Sequence, residues 1–210
     1  MSAIEPVERT DEEIASDIEG CGVSTRFKGA RKDQIPSAQW DQMAGFFKGK
    51  SFYVAGPVGV GKTHLVSALV CNAVIRNPRY HQKNGRRVER QNFQWPFIVS
   101  APALLLGIRD SFRDGSGVSE ADIINRYVNM QCLVIDDIGV EKQSEWVLQT
   151  MYLIIDGRYQ GMRQTVITSN FSIEQLAKHM GDRIASRIAG MCEIIHLKGK
   201  DRRVHEKLCR

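Results

Sequence analysis

Between residues 51 and 63 the chain passes from a short apolar run, Ser51-Phe52-Tyr53-Val54-Ala55, into a glycine-rich turn that ends in Lys-Thr. That junction limits the fold more than any other part of the sequence. The turn, Gly56-Pro57-Val58-Gly59-Val60-Gly61-Lys62-Thr63, matches G-x-x-x-x-G-K-S/T, and the residues after it have the apolar spacing of a helix. A strand that turns through glycines into a helix N-terminus presents a row of backbone N–H groups to one point, where they can wrap a phosphate. The helix dipole adds positive potential there, Lys62 reaches the β- and γ-phosphates as a point charge, and the Thr63 hydroxyl is placed to ligate Mg2+. Residues 56–63, with the adjoining His64, are therefore the expected contacts for ATP with Mg2+.

A strand feeding such a turn belongs to a parallel sheet, and the rest of the chain has the composition to build one. Segments 51–55, 97–100, 131–136, 165–169 and 193–197 are short and rich in β-branched and aromatic residues, and most are apolar on both faces. Helix-length segments separate them, at 63–75, 102–112, 119–128, 143–159 and 173–189. Strands buried on both faces and alternating with helices predict an α/β fold, a five-stranded parallel sheet covered by helices on both sides. At 210 residues, with 42% hydrophobic and 25% charged, the chain suits one soluble domain, and no stretch approaches the ~18 apolar residues of a membrane span.

The chemistry an NTPase needs beyond the phosphate loop falls at the ends of two other predicted strands. Leu133-Val134-Ile135 leads into Asp136, placed to hold the Mg2+ shell, and Asp137, placed to orient or deprotonate the attacking water. Thr165-Val166-Ile167-Thr168-Ser169 ends at Asn170, which in a parallel sheet stands beside the other two strand ends and can sense a γ-phosphate or hold the water. Farther on, Arg183 and Arg187 are four residues apart on one helical face. Such a pair can meet phosphate, or it can be a solvated basic face.

Charge is unevenly distributed. Residues 1–20 hold seven acids and one Arg, and the sequence T-D-E-E-I-A-S-D-I-E from Thr10 predicts one short helix, with Thr10 and Glu13 forming a capping box. The remainder holds 28 basic and 17 acidic residues, a formal +11 that points to a polyanionic partner. The connection over residues 76–96 concentrates this charge in Arg76, Arg79, Lys83, Arg86, Arg87 and Arg90 against Glu89 alone, with Tyr80, Phe93 and Trp95 interleaved. A polar connection of this length and composition suits single-stranded DNA, with Lys83, Arg86, Arg87 and Arg90 as phosphate contacts. The five cysteines show no pairing or zinc-ligand spacing, and the acidic start has no apolar core segment of a signal peptide, so the expectation is a cytosolic protein.

In order along the chain, C-G-V-S-T-R-F-K-G-A, G-P-V-G-V-G-K-T-H-L, A-L-L-L-G-I-R-D-S-F, L-V-I-D-D-I-G-V, I-I-D-G-R-Y-Q-G-M-R-Q-T-V-I-T-S-N and L-K-G-K-D-R-R resemble the DnaC/DnaI/IstB group of AAA+ ATPases, helicase loaders and transposition helpers, from about Cys21 to Arg203. The resemblance implies that Asn170 acts as sensor 1, Arg187 as an arginine finger and Arg183 as a second phosphate-sensing arginine. It also implies an AAA+-type P-loop domain over residues 21–210 without a separate helical lid, and assembly into an ATP-dependent oligomer. The implied function is loading or remodelling of a replicative helicase on single-stranded DNA. The alternative is an IstB-type transposition helper, or a nucleotide-gated DNA-binding adaptor with little turnover. Three features depart from the group. Only an acidic stretch of about twenty residues stands where loaders carry a helicase-gripping domain, Asp137 stands where many AAA+ members have Glu, and 76–96 reads as an insertion.

Overall fold

A computed structural model describes residues 5–6, 9–76, 80–83, 86–89, 94–110 and 117–202. Along the chain the elements are β1 (Glu5–Pro6), α1 (Asp11–Gly20), α2 (Ser37–Gln42), β2 (Ser51–Ala55), α3 (Lys62–Arg76), β3 (Tyr80–Lys83), β4 (Arg86–Glu89), β5 (Phe97–Ser100), α4 (Ala101–Asp110), α5 (Glu120–Asn129), β6 (Cys132–Ile138), α6 (Glu145–Gln160), β7 (Gln164–Ser169), α7 (Ile173–Met180), α8 (Asp182–Met191) and β8 (Cys192–His196). The main sheet has the order β5-β6-β7-β2-β8, and every pairing within it is parallel. All five strands fall where the sequence placed them, with ends shifted by at most two residues.

Alternation along the strands divides the core into two layers. On one face Phe52, Val54, Val134, Val166 and Ile195 pack beneath α3, which buries Leu65, Val66, Leu69 and Val70. On the other, Tyr53, Ala55, Leu133, Ile135 and Ile167 meet Leu104 and Ile108 of α4, Met151, Ile154 and Ile155 of α6, and Ile184 and Ile188 of α8. Each of these large side chains is almost wholly buried, which stabilises by roughly 1.5–3 kcal/mol apiece. The helix that carries Lys62 and Thr63 at its first turn is thereby fixed to the sheet along its length.

The acidic amino-terminal segment is built into the same body. Thr10 and Glu13 form the expected capping box of α1, and Ile18 on that helix is buried in the α3 layer. Arg9 donates to Asp17 at 3.0 Å and to the carbonyls of Val74 and Ile75 at 2.6 and 3.0 Å, placing a cation on the last turn of α3 where the helix dipole favours one.

Two sequence readings need correction. The helix expected over 173–189 is two helices, broken at Gly181, whose φ of 94° lies in a region that favours glycine. The basic segment 76–96, read as a polar connection, contains an antiparallel hairpin of β3 and β4, to which β1 adds as a third strand. Its cue was in the sequence: Lys83 pairs with Arg86, so Asn84-Gly85 connects the strands, and Asn-Gly is a favoured two-residue hairpin sequence.

Among the buried polar residues, Arg158 of α6 is wholly inaccessible and joins the carboxyl end of α5 to the start of β7. Its guanidinium donates to the carbonyls of Tyr127, Met130 and Gln164 and to the Thr165 hydroxyl. Burial pulls its pKa down to about 10, which leaves it charged near neutrality. Replacing it with Met strands those carbonyls without donors. We expect Arg158→Met to lower the unfolding free energy by about 3–5 kcal/mol, read from the midpoint of urea denaturation at unchanged slope.

Candidate functional site

Because β2, β6 and β7 run parallel and adjacent, their carboxyl ends deliver three loops to one edge of the sheet. From β2 comes the phosphate loop, with Gly59 at φ 75° and Gly61 at φ 104°, backbone values that favour glycine. Lys62 folds back over it, its Nζ donating to the carbonyls of Gly56 and Pro57 at 2.9 and 3.0 Å and to Asn170 Oδ1 at 2.6 Å. The strand end carrying Asn170 is thus in direct contact with the lysine of the loop.

From β6 come the two aspartates, and the sheet treats them differently. Asp136 is 8% exposed and accepts from Thr168 Oγ1 at 2.6 Å and from Thr63 Oγ1 at 3.0 Å. Burial raises its pKa, and the two hydroxyl donors oppose that shift. Asp137 occupies a bulge between Ile135 and Ile138, at φ 61°, with its amide donating to Thr168 Oγ1 at 2.9 Å. Its side chain faces the cavity beside the phosphate loop. A left-handed backbone is tolerated by Asp better than by Glu, and this gives a local reason for the shorter acid.

A cavity of about 430 Å³ joins these groups, lined by Val58, Gly59, Gly61, Lys62, Thr63, His64, Asp137 and Asn170. It is also lined by residues that motif reading did not assign: Arg26, Phe27, Gly29, Ala30 and Gln34 from the turns after α1, and Arg202 from the segment after β8. Gln34 Oε1 stands 3.1 Å from His64 Nε2, which ties those turns to α3. The strings C-G-V-S-T-R-F-K-G-A and L-K-G-K-D-R-R marked these segments only as likeness, since neither carries a recognisable chemistry of its own.

A hydroxyl and a carboxylate 3.0 Å apart, Thr63 and Asp136, are the hard oxygen donors Mg2+ takes, and they fit that ion beside a phosphate chain. The arginines of α8 lie outside the cavity lining. Arg187 is held on its own chain: its guanidinium pairs with Asp156, donates to Tyr152 Oη at 2.9 Å and to the Arg183 carbonyl at 3.2 Å, and lies 4.8 Å from the centre of the Tyr152 ring. Arg183 is exposed. Lys83, Arg86 and Arg87 lie on the β3–β4 hairpin, and Arg90 lies outside the described residues.

Residues 46–209, which include the phosphate loop, both aspartates and Asn170, match the family described as IstB-like ATP binding protein. The chain belongs to that family. This IstB-like protein is 30% identical to replicative helicase loader DnaC of Escherichia coli (strain K12) over 138 residues, 66% of this chain and 49% of that one. It spans about half the length of the curated relatives it matches. The crystal structure of the DnaC helicase loader superposes with a TM-score of 0.67 at 22% identity, over 83% of this chain and 100% of that chain. Replication initiator DnaA bound to AMPPCP and single-stranded DNA gives a TM-score of 0.55 at 21% identity, over 77% and 45%. The IstB-like chain thus has the AAA+ P-loop fold, and among its described residues no helix is long and apolar enough to cross a membrane.

Asp137→Asn keeps a side chain that accepts the left-handed backbone while removing the charge. A general-base role for Asp137 predicts that in this variant ATP affinity, measured by fluorescent-nucleotide titration, stays within about threefold of the parent chain while any steady-state turnover falls by at least about a hundredfold.

Proposed function

We propose that this IstB-like chain is a Mg2+-dependent ATPase of the helicase-loader type, whose ATP cycle is used on single-stranded DNA to deliver or remodel a replicative helicase. The observation that carries the reading is the joining of three strand ends through side chains: Lys62 to Asn170, Thr63 to Asp136, and Thr168 to both aspartates. In this reading the loop amides and Lys62 hold the triphosphate, and Asn170 releases Lys62 to the γ-phosphate and then positions the water. Asp137 accepts the proton of that water. A divalent cation bound at Thr63 and Asp136 supplies neutralisation of charge on the phosphate oxygens. The similarity to DnaC supports a helicase as partner.

Arg187 acts in this scheme on the nucleotide of a neighbouring copy. Its place outside the lining of its own cavity supports that reading, and Asp156 and Tyr152 then hold the guanidinium in a defined orientation at the surface. A second reading, a nucleotide-gated transposition helper or adaptor with little turnover, is supported by the IstB-like family match and by the short reach of Asp137. ATPase assays with and without single-stranded DNA separate the two. DNA-stimulated turnover supports the loader, and tight ATP binding without turnover supports the adaptor.

Two outcomes follow for variants. Arg187→Ala is expected to bind ATP as the parent does but to lose about a thousandfold in DNA-stimulated turnover, as removal of an arginine finger does. Mixing it with Lys62→Ala subunits is expected to restore part of that activity. Replacing Lys83, Arg86, Arg87 and Arg90 with Ser is expected to weaken single-stranded DNA binding at every sequence. It should also flatten the slope of log affinity against log salt by roughly two to three units.

A further inference from the structure

Where β6 and β7 pair, Ile135 lies opposite Ile167 and Ile138 opposite Ser169, so Asp136 and Asp137 together stand across from the single residue Thr168. A bulge of this kind leaves one residue outside the ladder and re-aims its side chain, and between parallel strands it is rare. Here the extra residue is Asp137, in the left-handed region at φ 61°. Its amide is taken up by a side chain of the facing strand: Thr168 Oγ1 accepts it at 2.9 Å.

The same oxygen donates to Asp136 Oδ1 at 2.6 Å. A threonine hydroxyl has one proton and two acceptor sites, so with the proton committed to Asp136 the lone pairs are left for the Asp137 amide. The two contacts therefore orient one another. Thr168, next to the last residue of β7, is wholly buried, and its branched Cβ restricts the rotation that would swing the hydroxyl away from either aspartate. Valine has the same outline and can make neither contact. Asp136 reaches the phosphate loop through Thr63 Oγ1 at 3.0 Å, whereas Asp137 lines the cavity, so the two neighbours face different tasks. Among the described residues Thr168 is the one side chain hydrogen-bonded to both.

We propose that Thr168 is a positioning residue for the nucleotide site, one whose hydroxyl holds the β6 bulge in shape and so keeps the cation-binding carboxylate of Asp136 and the water-facing carboxylate of Asp137 in fixed relation. This rests on the roles of Asp136 and Asp137 proposed above. It deepens them, because it makes the two acids a single unit: a divalent cation that fixes Asp136 also fixes, through one hydroxyl, the backbone that carries Asp137.

Thr168→Val and Thr168→Ser, compared with the parent on the full chain, test the proposal by two readouts. The first is Mn2+ affinity at a saturating non-hydrolysable ATP analogue, read from the electron paramagnetic resonance signal of the free ion, with Mn2+ as the probe of a carboxylate and hydroxyl site. It needs no turnover. The second is kcat and KM for ATP at saturating Mg2+. Loss of an oriented contact behind a metal ligand predicts that Thr168→Val binds Mn2+ about ten- to a hundredfold more weakly. Its kcat should fall by about tenfold or more, while KM and the affinity for the analogue without divalent cation stay within about threefold, because the phosphate loop and Lys62 are untouched. Thr168→Ser keeps the oxygen and should recover most of both losses. Unchanged Mn2+ affinity in folded Thr168→Val overturns the proposal. So does a cation-free analogue affinity that falls as steeply as the Mn2+ affinity, since the substitution would then have disturbed the whole site. Thr168→Ser no better than Thr168→Val overturns it as well. If Thr168→Val fails to fold, Thr168→Ala against Thr168→Ser isolates the same oxygen, and equal Mn2+ affinities in that pair overturn the proposal. An Asp136→Ala variant that keeps the parent's Mn2+ affinity shows instead that the cation site itself, on which the role of Thr168 rests, lies elsewhere.

Discussion

The contact between Lys62 and Asn170 depends on the parallel register of β2 and β7, and most of the site depends on that register in turn. Pairing of Ala55 with Ser169 brings the last residue of each strand level, so the loop that follows β2 and the Asn that follows β7 emerge side by side. On the other side of β7, Ile138 lies opposite Ser169, and the bulge just before it turns Asp137 out of the sheet while Asp136 stays in it. A slip of one residue in either pairing would send the polar tips to the wrong face. The two-layer core guards against such a slip, since it would also expose Phe52 and Val54 or bury their neighbours in the wrong layer.

Hydroxyls, more than charges, do the fine placement within this frame. Thr168 donates to Asp136 and receives the amide of Asp137, so one side chain sets both carboxylates. Ser169 donates to the Ile138 carbonyl and receives the amide of Phe171, which fixes the turn after Asn170. The T-S-N string thus has a positioning role at each of its three residues, with only the last reaching the cavity.

The features legible in the sequence were those where a local pattern and a chemical demand coincide. The strand, glycine turn and helix at 51–63 had to form together for the motif to have meaning, and the alternation of apolar runs with helix-length segments gave the sheet. Asp136, Asp137 and Asn170 were legible because each follows an apolar, strand-forming run. Arg26, Phe27, Gln34 and Arg202 were not, because they reach the cavity through irregular turns whose path is set by packing rather than by periodicity. The break at Gly181 was hidden by apolar spacing that continues across it, and the β3–β4 hairpin was hidden by its charge, although Asn84-Gly85 marked it.

Arg9 joins the two ends of this design. By donating to the carbonyls of Val74 and Ile75 it finishes the helix whose first residues are Lys62 and Thr63, and with Ile18 it seats α1 against that helix. The acidic stretch therefore cannot be cut away as a dispensable leader. A protein trimmed to begin at Cys21, the boundary suggested by family likeness, would lose the terminal seal of α3 and open the apolar seam beneath α1, roughly 18 Å of helix away from the phosphate loop.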